Sequence, residues 1–177
     1  MKGWRRSGDL VSAELSEREA GLLRGLVGQV REMLDARRTA TPQDELAELT
    51  GITTGPRTAP DDRVLARLLP DFHREDPELS GGMRELHEPE LVAAKNGVAG
   101  VVLQTCPVHG GRVRLTDEQA NAWLSALNDV RLALGTLLDV TEDMPDELPS
   151  DDPRAPHLGV YHWLTWVQES LIQALSR

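Results

Sequence analysis

The sequence predicts a mainly α protein: a helical bundle around a central buried helix at residues 116–139, with a small antiparallel β element. Three observations predict it. Residues 116–139 are apolar around most of a helical circumference, so neighbours must cover that stretch from several sides. Residues 22–34, 91–102 and 160–175 repeat apolar side chains at helical spacing. Strand-like alternation is confined to residues 3–15 and 111–115.

A chain of 177 residues suits one domain, residues 1–177, with a sizeable core. Hydrophobic content of 40% and charged content of 27% are ordinary for a globular protein. The net charge of −10 argues against a general nucleic-acid binder, which needs a basic face to neutralise phosphates. The cluster Lys2, Arg5, Arg6 is too small to reverse that balance. No apolar run approaches the ~20 residues that span a bilayer. The amino terminus lacks the apolar segment of a signal peptide, so the cytoplasm is the expected compartment and no membrane partner is expected. The lone Cys106 excludes an internal disulfide.

In chain order, Trp4-Arg5-Arg6 and Leu10–Leu15 flank a Ser-Gly-Asp turn and read as a hairpin. Gly111–Leu115 alternates cleanly and supplies a third strand, because two strands alone are marginal in water. Ser16 with Glu19 is a capping box that opens a helix to about Arg38. Leu22, Leu23, Leu26, Val27, Val30, Met33 and Leu34 form its core face. Gly21, Gly25 and Gly28 lie opposite, each costing the helix about 1 kcal/mol relative to alanine. They read either as a tolerated weakness on a solvated face or as close approach of a second backbone, which makes a homodimer a candidate assembly.

Thr41-Pro42 starts a short acidic helix through Leu49, and residues 51–60 read as the most mobile loop. Another short helix spans about 61–69. Residues 77–106 are helical again, with Pro89 either starting a new helix or kinking one. Thr116 with Gln119 caps the central helix, where Ala120, Trp123, Leu124, Leu127, Val130, Leu134, Leu137 and Leu138 share a broad face. Residues 141–156 form an acidic, proline-rich connection. The last helix runs from about 155 to 175, with Val160, Tyr161, Leu164, Val167, Leu171, Ile172 and Leu175 as its core stripe. Gln168 falls inside that stripe, and Trp166 falls outside it, near His162.

The residue types that carry chemistry are sparse. No glycine cluster sits between a strand and a helix to cradle a phosphate. His87-Glu88-Pro89-Glu90 resembles the start of a zinc-binding helix, but Leu91 stands where the second histidine is needed. Cys106 and His109 have no matching second pair. No nucleophile elbow occurs, so no catalytic residue, metal or cofactor is expected. Arg131 is the one charge set into the apolar pattern. It adjoins a line of small or polar residues, Asn121, Asn128 and Gly135, with Asp139 a turn further on. A guanidinium cannot shed its proton, so it either ties neighbouring segments together or binds an anion in a groove. Trp166 with His162 is a candidate interaction surface, since tryptophan is enriched at hot spots.

DELAELTG at 44–51, LLPD at 68–71, LHEPE at 86–90, NAWLSALNDVRLALGTLLDV at 121–140 and YHWLTWVQESL at 161–171 carry a resemblance over nearly the whole chain. Together they resemble the actinobacterial domain-of-unknown-function family numbered two thousand and seventeen. The resemblance implies a cytoplasmic, predominantly helical protein and, through gene order in the family, a neighbouring gene for the adaptor of the Clp protease, which suggests a role near regulated proteolysis. It brings no catalytic residues. The expected function is a non-enzymatic interaction or regulatory module, with a homodimer or a protein of regulated proteolysis as partner. The alternative is a small-molecule or anion sensor, or an unrecognised enzyme, using Arg131, Asn121, Asn128, Asp139 and Gln168.

Overall fold

The computed structural model describes residues 1–39 and 54–176. The helix expected at 41–49 lies outside the described residues. The described residues form a mainly helical bundle with a small antiparallel sheet: β1 (Lys2–Ser7), β2 (Leu10–Leu15), α1 (Glu17–Thr39), α2 (Arg63–Leu68), α3 (Pro77–Thr105), β3 (Gly111–Leu115), α4 (Asp117–Leu137) and α5 (Ala155–Leu175). The strands run in the order β1-β2-β3. Val113 of β3 stands opposite Ala13, and Leu115 opposite Val11, which puts their side chains on the covered face.

Helix α4 contacts α1, α2, α3, α5 and the sheet, as its all-round apolar character requires. Its amino end carries the full capping box: Gln119 N–H donates to Thr116 Oγ1, and Thr116 N–H to Gln119 Oε1. Trp123, in its second turn, is wholly buried. The indole packs edge-on against Trp4 of β1 (5.3 Å between centroids) and donates to Thr105 Oγ1 of α3 at 2.8 Å. Two positions assigned to core faces are exposed instead: Leu137 at 68% and Ile172 at 50%. Each sits in the final turn or so of its helix, where few neighbours remain to cover it.

Helix α3 runs on through Pro89, so of the two readings the start of a new helix does not occur there. A proline interior to a helix leaves the carbonyl four residues earlier without its donor. Here that carbonyl belongs to Glu85, and Gly55 N–H donates to it at 2.7 Å. A Cβ on Gly55 would stand 3.0 Å from Pro89 Cδ, so only glycine comes this close to the ring. The stretch read as mobile is therefore pinned over residues 54–60. Arg57 also pairs with Glu85 (2.8 Å), and Arg37 of α1 donates to the Thr58 carbonyl (2.5 Å).

Replacing Gly55 by alanine should push the loop off Pro89 and destabilise the fold by about 1–3 kcal/mol. That corresponds to a drop in Tm of roughly 2–10 °C at this chain length. An unchanged Tm in calorimetry would show that the loop does not depend on this contact.

Candidate functional site

Among the described residues the deepest charges are not at Arg131. Arg84 and Glu88, one turn apart on α3, are 1% and 2% exposed. Arg84 Nη1 donates to Glu88 Oε2 (2.6 Å) and to the Leu69 carbonyl (3.2 Å). Its Nη2 reaches Asp71 Oδ1 (2.8 Å), and the guanidinium lies 5.7 Å from the Phe72 ring centre. Glu88 Oε1 accepts from Arg37 Nε at 2.9 Å. With partners on every side this cluster is fully paired and joins α1, α3 and the segment after α2. Sequence reading passed over it because Arg84 and Glu88 look like an ordinary surface pair one helical turn apart. The interruption by Pro89 was the available signal that this turn meets another backbone. A second buried acid, Asp129 of α4, takes Lys95 Nζ of α3 at 2.6 Å.

Arg131 is part-buried and lies between α4 and α5. Its Nη1 donates to Gln168 Oε1 (2.7 Å), while Gln168 Nε2 donates to the Leu124 carbonyl (3.0 Å). Its guanidinium lies 5.3 Å from the Tyr161 ring centre, and its Nε is buried with no hydrogen-bond partner among the described residues. It lines a groove of about 330 Å³ together with Arg63 and Arg67 of α2, Tyr161 of α5, and Leu132, Gly135, Asp139 and Val140 around the carboxyl end of α4. Of the residues grouped by sequence, Arg131 and Asp139 thus meet in one groove and Gln168 braces the arginine from behind. Asn121 and Asn128 face solvent and are absent from the lining. Arg63 and Arg67 were missed because they come from a short helix distant in sequence.

Asp139 adopts a left-handed backbone (φ 52°) just past the helix. There its N–H and that of Val140 bond back to the Thr136 and Gly135 carbonyls and close α4. Its carboxylate pairs with Arg63, which holds the carboxyl below its ordinary range.

The second notable surface is the sheet. Strand register places Arg5, Ser12 and Arg114 in one row, and Lys2, Glu14 and Arg112 in the next. All of these except part-buried Ser12 are exposed, on the face opposite the core. None of the four cations has an ion pair or hydrogen bond among the described residues. Arg6, the remaining basic residue of the cluster, turns instead to Asp117 (2.9 Å) and the Ala174 carbonyl (3.1 Å).

Trp166 is 41% exposed, with one edge against Gly3 of β1. His162 is exposed one turn before it, edge-on to Tyr161. Gly21 and Gly25 are exposed and Gly28 is part-buried, and a Cβ on any of them would meet nothing among the described residues within 4 Å. Cys106 is buried at the end of α3, and burial pushes its thiol up to about 11. Among the described residues no group of acids, histidines or cysteine is arranged to hold a metal, and no helix is long and apolar enough to cross a membrane.

Replacing Glu88 with glutamine should strand two guanidiniums, Arg84 and Arg37, and lower stability by about 3–5 kcal/mol. Urea titration measures this; a loss below about 1 kcal/mol would mean that the cluster is wet rather than buried.

The family described as Domain of unknown function (DUF2017) matches residues 1–175. The chain is 44% identical over 183 residues to the "Oxidative stress regulator AosR" of Mycobacterium tuberculosis, covering 96% of this chain and 84% of that protein. The Mycobacterium bovis protein of the same name matches equally. The "Putative oxidative stress regulator AosR" of Mycobacterium leprae is 38% identical over 192 residues, covering 99% of this chain and 88% of that protein. No solved structure matches the chain. The chain belongs to the DUF2017 family.

Proposed function

We propose that this member of the DUF2017 family is a non-enzymatic cytoplasmic regulator in the response to oxidative stress, acting through contacts with other proteins. The single observation that carries the reading is charge segregation. The chain has a net charge of −10, yet the outer face of the sheet presents Lys2, Arg5, Arg112 and Arg114 without partners among the described residues. Such a face attracts an acidic partner over roughly a Debye length and repels basic surfaces, giving specificity and a fast encounter. The names of the mycobacterial relatives supply the process. The gene neighbourhood that the resemblance implies suggests timed turnover of a bound partner, by Clp-type proteolysis, as one output of such contacts.

A second copy fits the other face. Three glycines on α1 that no neighbour among the described residues requires weaken the helix by about 1 kcal/mol each. Close packing against the same helix of a second subunit gives that cost a purpose. A ligand-sensing reading is favoured by a different observation, the arginine-lined groove beside Arg131.

Regulation in this chain runs through binding rather than through its own thiol. Thiol sensing needs an accessible thiolate, and Cys106 is both buried and shifted away from ionisation.

The double variant Arg112→Glu, Arg114→Glu should keep the wild-type Tm within about 2 °C, because both side chains project into water. It should lose the proteins cross-linked to the wild type in cells; retention of the same partners would remove the basis of the proposal. Loss of salt-dependent nucleic-acid binding instead would reassign the face. Light scattering should report twice the monomer mass for the wild type and a monomer for Gly25→Leu. Iodoacetamide at pH 8 should label Cys106 only after unfolding, and rapid labelling of the folded protein would restore a thiol role.

A further inference from the structure

We infer that the groove between α2, α4 and α5 is a binding site for a small phosphate-bearing molecule, held by Arg67 and Arg131 and gated by Asp139. This goes beyond the protein-contact reading, which rests on the opposite, strand-built face.

The groove is built rather than incidental. Gly135 sits inside α4, where glycine weakens a helix, and a Cβ there would stand 3.3 Å from the Tyr161 ring. The glycine therefore lets Tyr161 settle against the helix and form a groove wall, and the same ring receives the Arg131 guanidinium on its face. Gln168 anchors one end of that guanidinium and leaves its Nε–H buried with no acceptor among the described residues. That Nε is closed off from the groove, whereas Nη2 is neither buried nor hydrogen-bonded among the described residues and is the donor a ligand oxygen can meet. Arg63 and Arg67 are one turn apart on α2, so both reach the same opening.

The charge count selects the ligand. Three guanidiniums line the groove, and Asp139 neutralises one of them through Arg63. Two positive charges remain, carried by Arg67 and Arg131. A phosphate monoester carries about −1.5 to −2 at neutral pH and offers three acceptor oxygens, which matches two forked donors. About 330 Å³ holds a phosphate with a small organic body, and Leu132, Val140 and the Tyr161 ring offer that body an apolar wall. Asp139 competes for the same cations, so it acts as a built-in occupant that an incoming phosphate displaces from Arg63.

Isothermal titration of the purified full chain with inorganic phosphate, a sugar phosphate and succinate tests this. The expected result is saturable binding of the phosphates. Arg67→Gln should weaken binding at least tenfold, and Asp139→Asn should strengthen it several-fold. Asparagine tolerates the left-handed backbone at 139 and Arg67 is exposed, so neither variant should disturb folding. Arg131→Gln should abolish binding, with circular dichroism reporting whether the helices persist. Tighter binding of the sugar phosphate than of inorganic phosphate identifies an organic phosphate; equal binding identifies the free anion. No saturable binding to wild type or to Asp139→Asn, equal binding by Arg67→Gln, or tighter binding of succinate than of either phosphate would each overturn the assignment. The strand variant Arg112→Glu, Arg114→Glu should bind phosphate as the wild type does. Loss of phosphate binding in that variant alone would place the site on the sheet and overturn the groove, whereas loss of protein partners alone leaves the groove standing.

Discussion

The buried Arg84–Glu88 pair is the constraint around which the rest of this molecule is arranged. Two opposite charges taken out of water cost several kcal/mol each, and their mutual attraction offsets that only when every remaining donor and acceptor is met. Arg37 of α1, Asp71 and the Leu69 carbonyl meet them. Their positions therefore follow from the pair: α1 is held against α3, and the chain leaving α2 is held across both. The donation of Gly55 N–H to the carbonyl freed by Pro89 fastens the preceding loop to the same turn of α3. With both ends of α2 held this way, Arg63 and Arg67 are carried over the carboxyl end of α4, where the groove lies.

Charge is distributed in this molecule by depth and by face. The interior holds paired ions, Glu88 with Arg84 and with Arg37, and Lys95 with Asp129; the Arg37 and Lys95 pairs fix how helices meet. The connection after α4 is acidic. The sheet's outer face is basic, against the overall balance of the chain. A uniform acidic coat would serve solubility alone. A basic face on an acidic body gives a direction to encounters with other molecules. The buried thiol fits the same picture, because a packed Cys106 contributes to the end of α3, where Arg24 also caps the Leu103 and Cys106 carbonyls.

Much of the fold was legible in the sequence. The capping boxes at Ser16 and Thr116, the all-round apolar character of α4, and the alternation at 111–115 state local preferences that packing had no reason to override. The outward-pointing Arg112 and Arg114 were also implicit in that alternation, once a third strand was expected. The candidate site was only half legible. Periodicity brought Arg131 near Asp139 and Gln168, but it also swept in Asn121 and Asn128, which share the helix and face water. Leu137 and Ile172 show the same limit, since an apolar face is defined by spacing and its burial by whether a neighbour extends that far.

What the sequence by itself determined, then, was the set of elements, their caps and the helix that must be wrapped, because these depend on interactions within a few residues of chain. Tertiary structure alone decided which charges are buried and which three arginines share a groove. Arg84 carries the signature of a solvated helix pair and Arg131 that of a buried ion, yet their environments are nearly the reverse. Desolvation is set by what packs on a side chain from remote segments, and that information is spread over 69–72 for one arginine and over 63, 67 and 161–168 for the other.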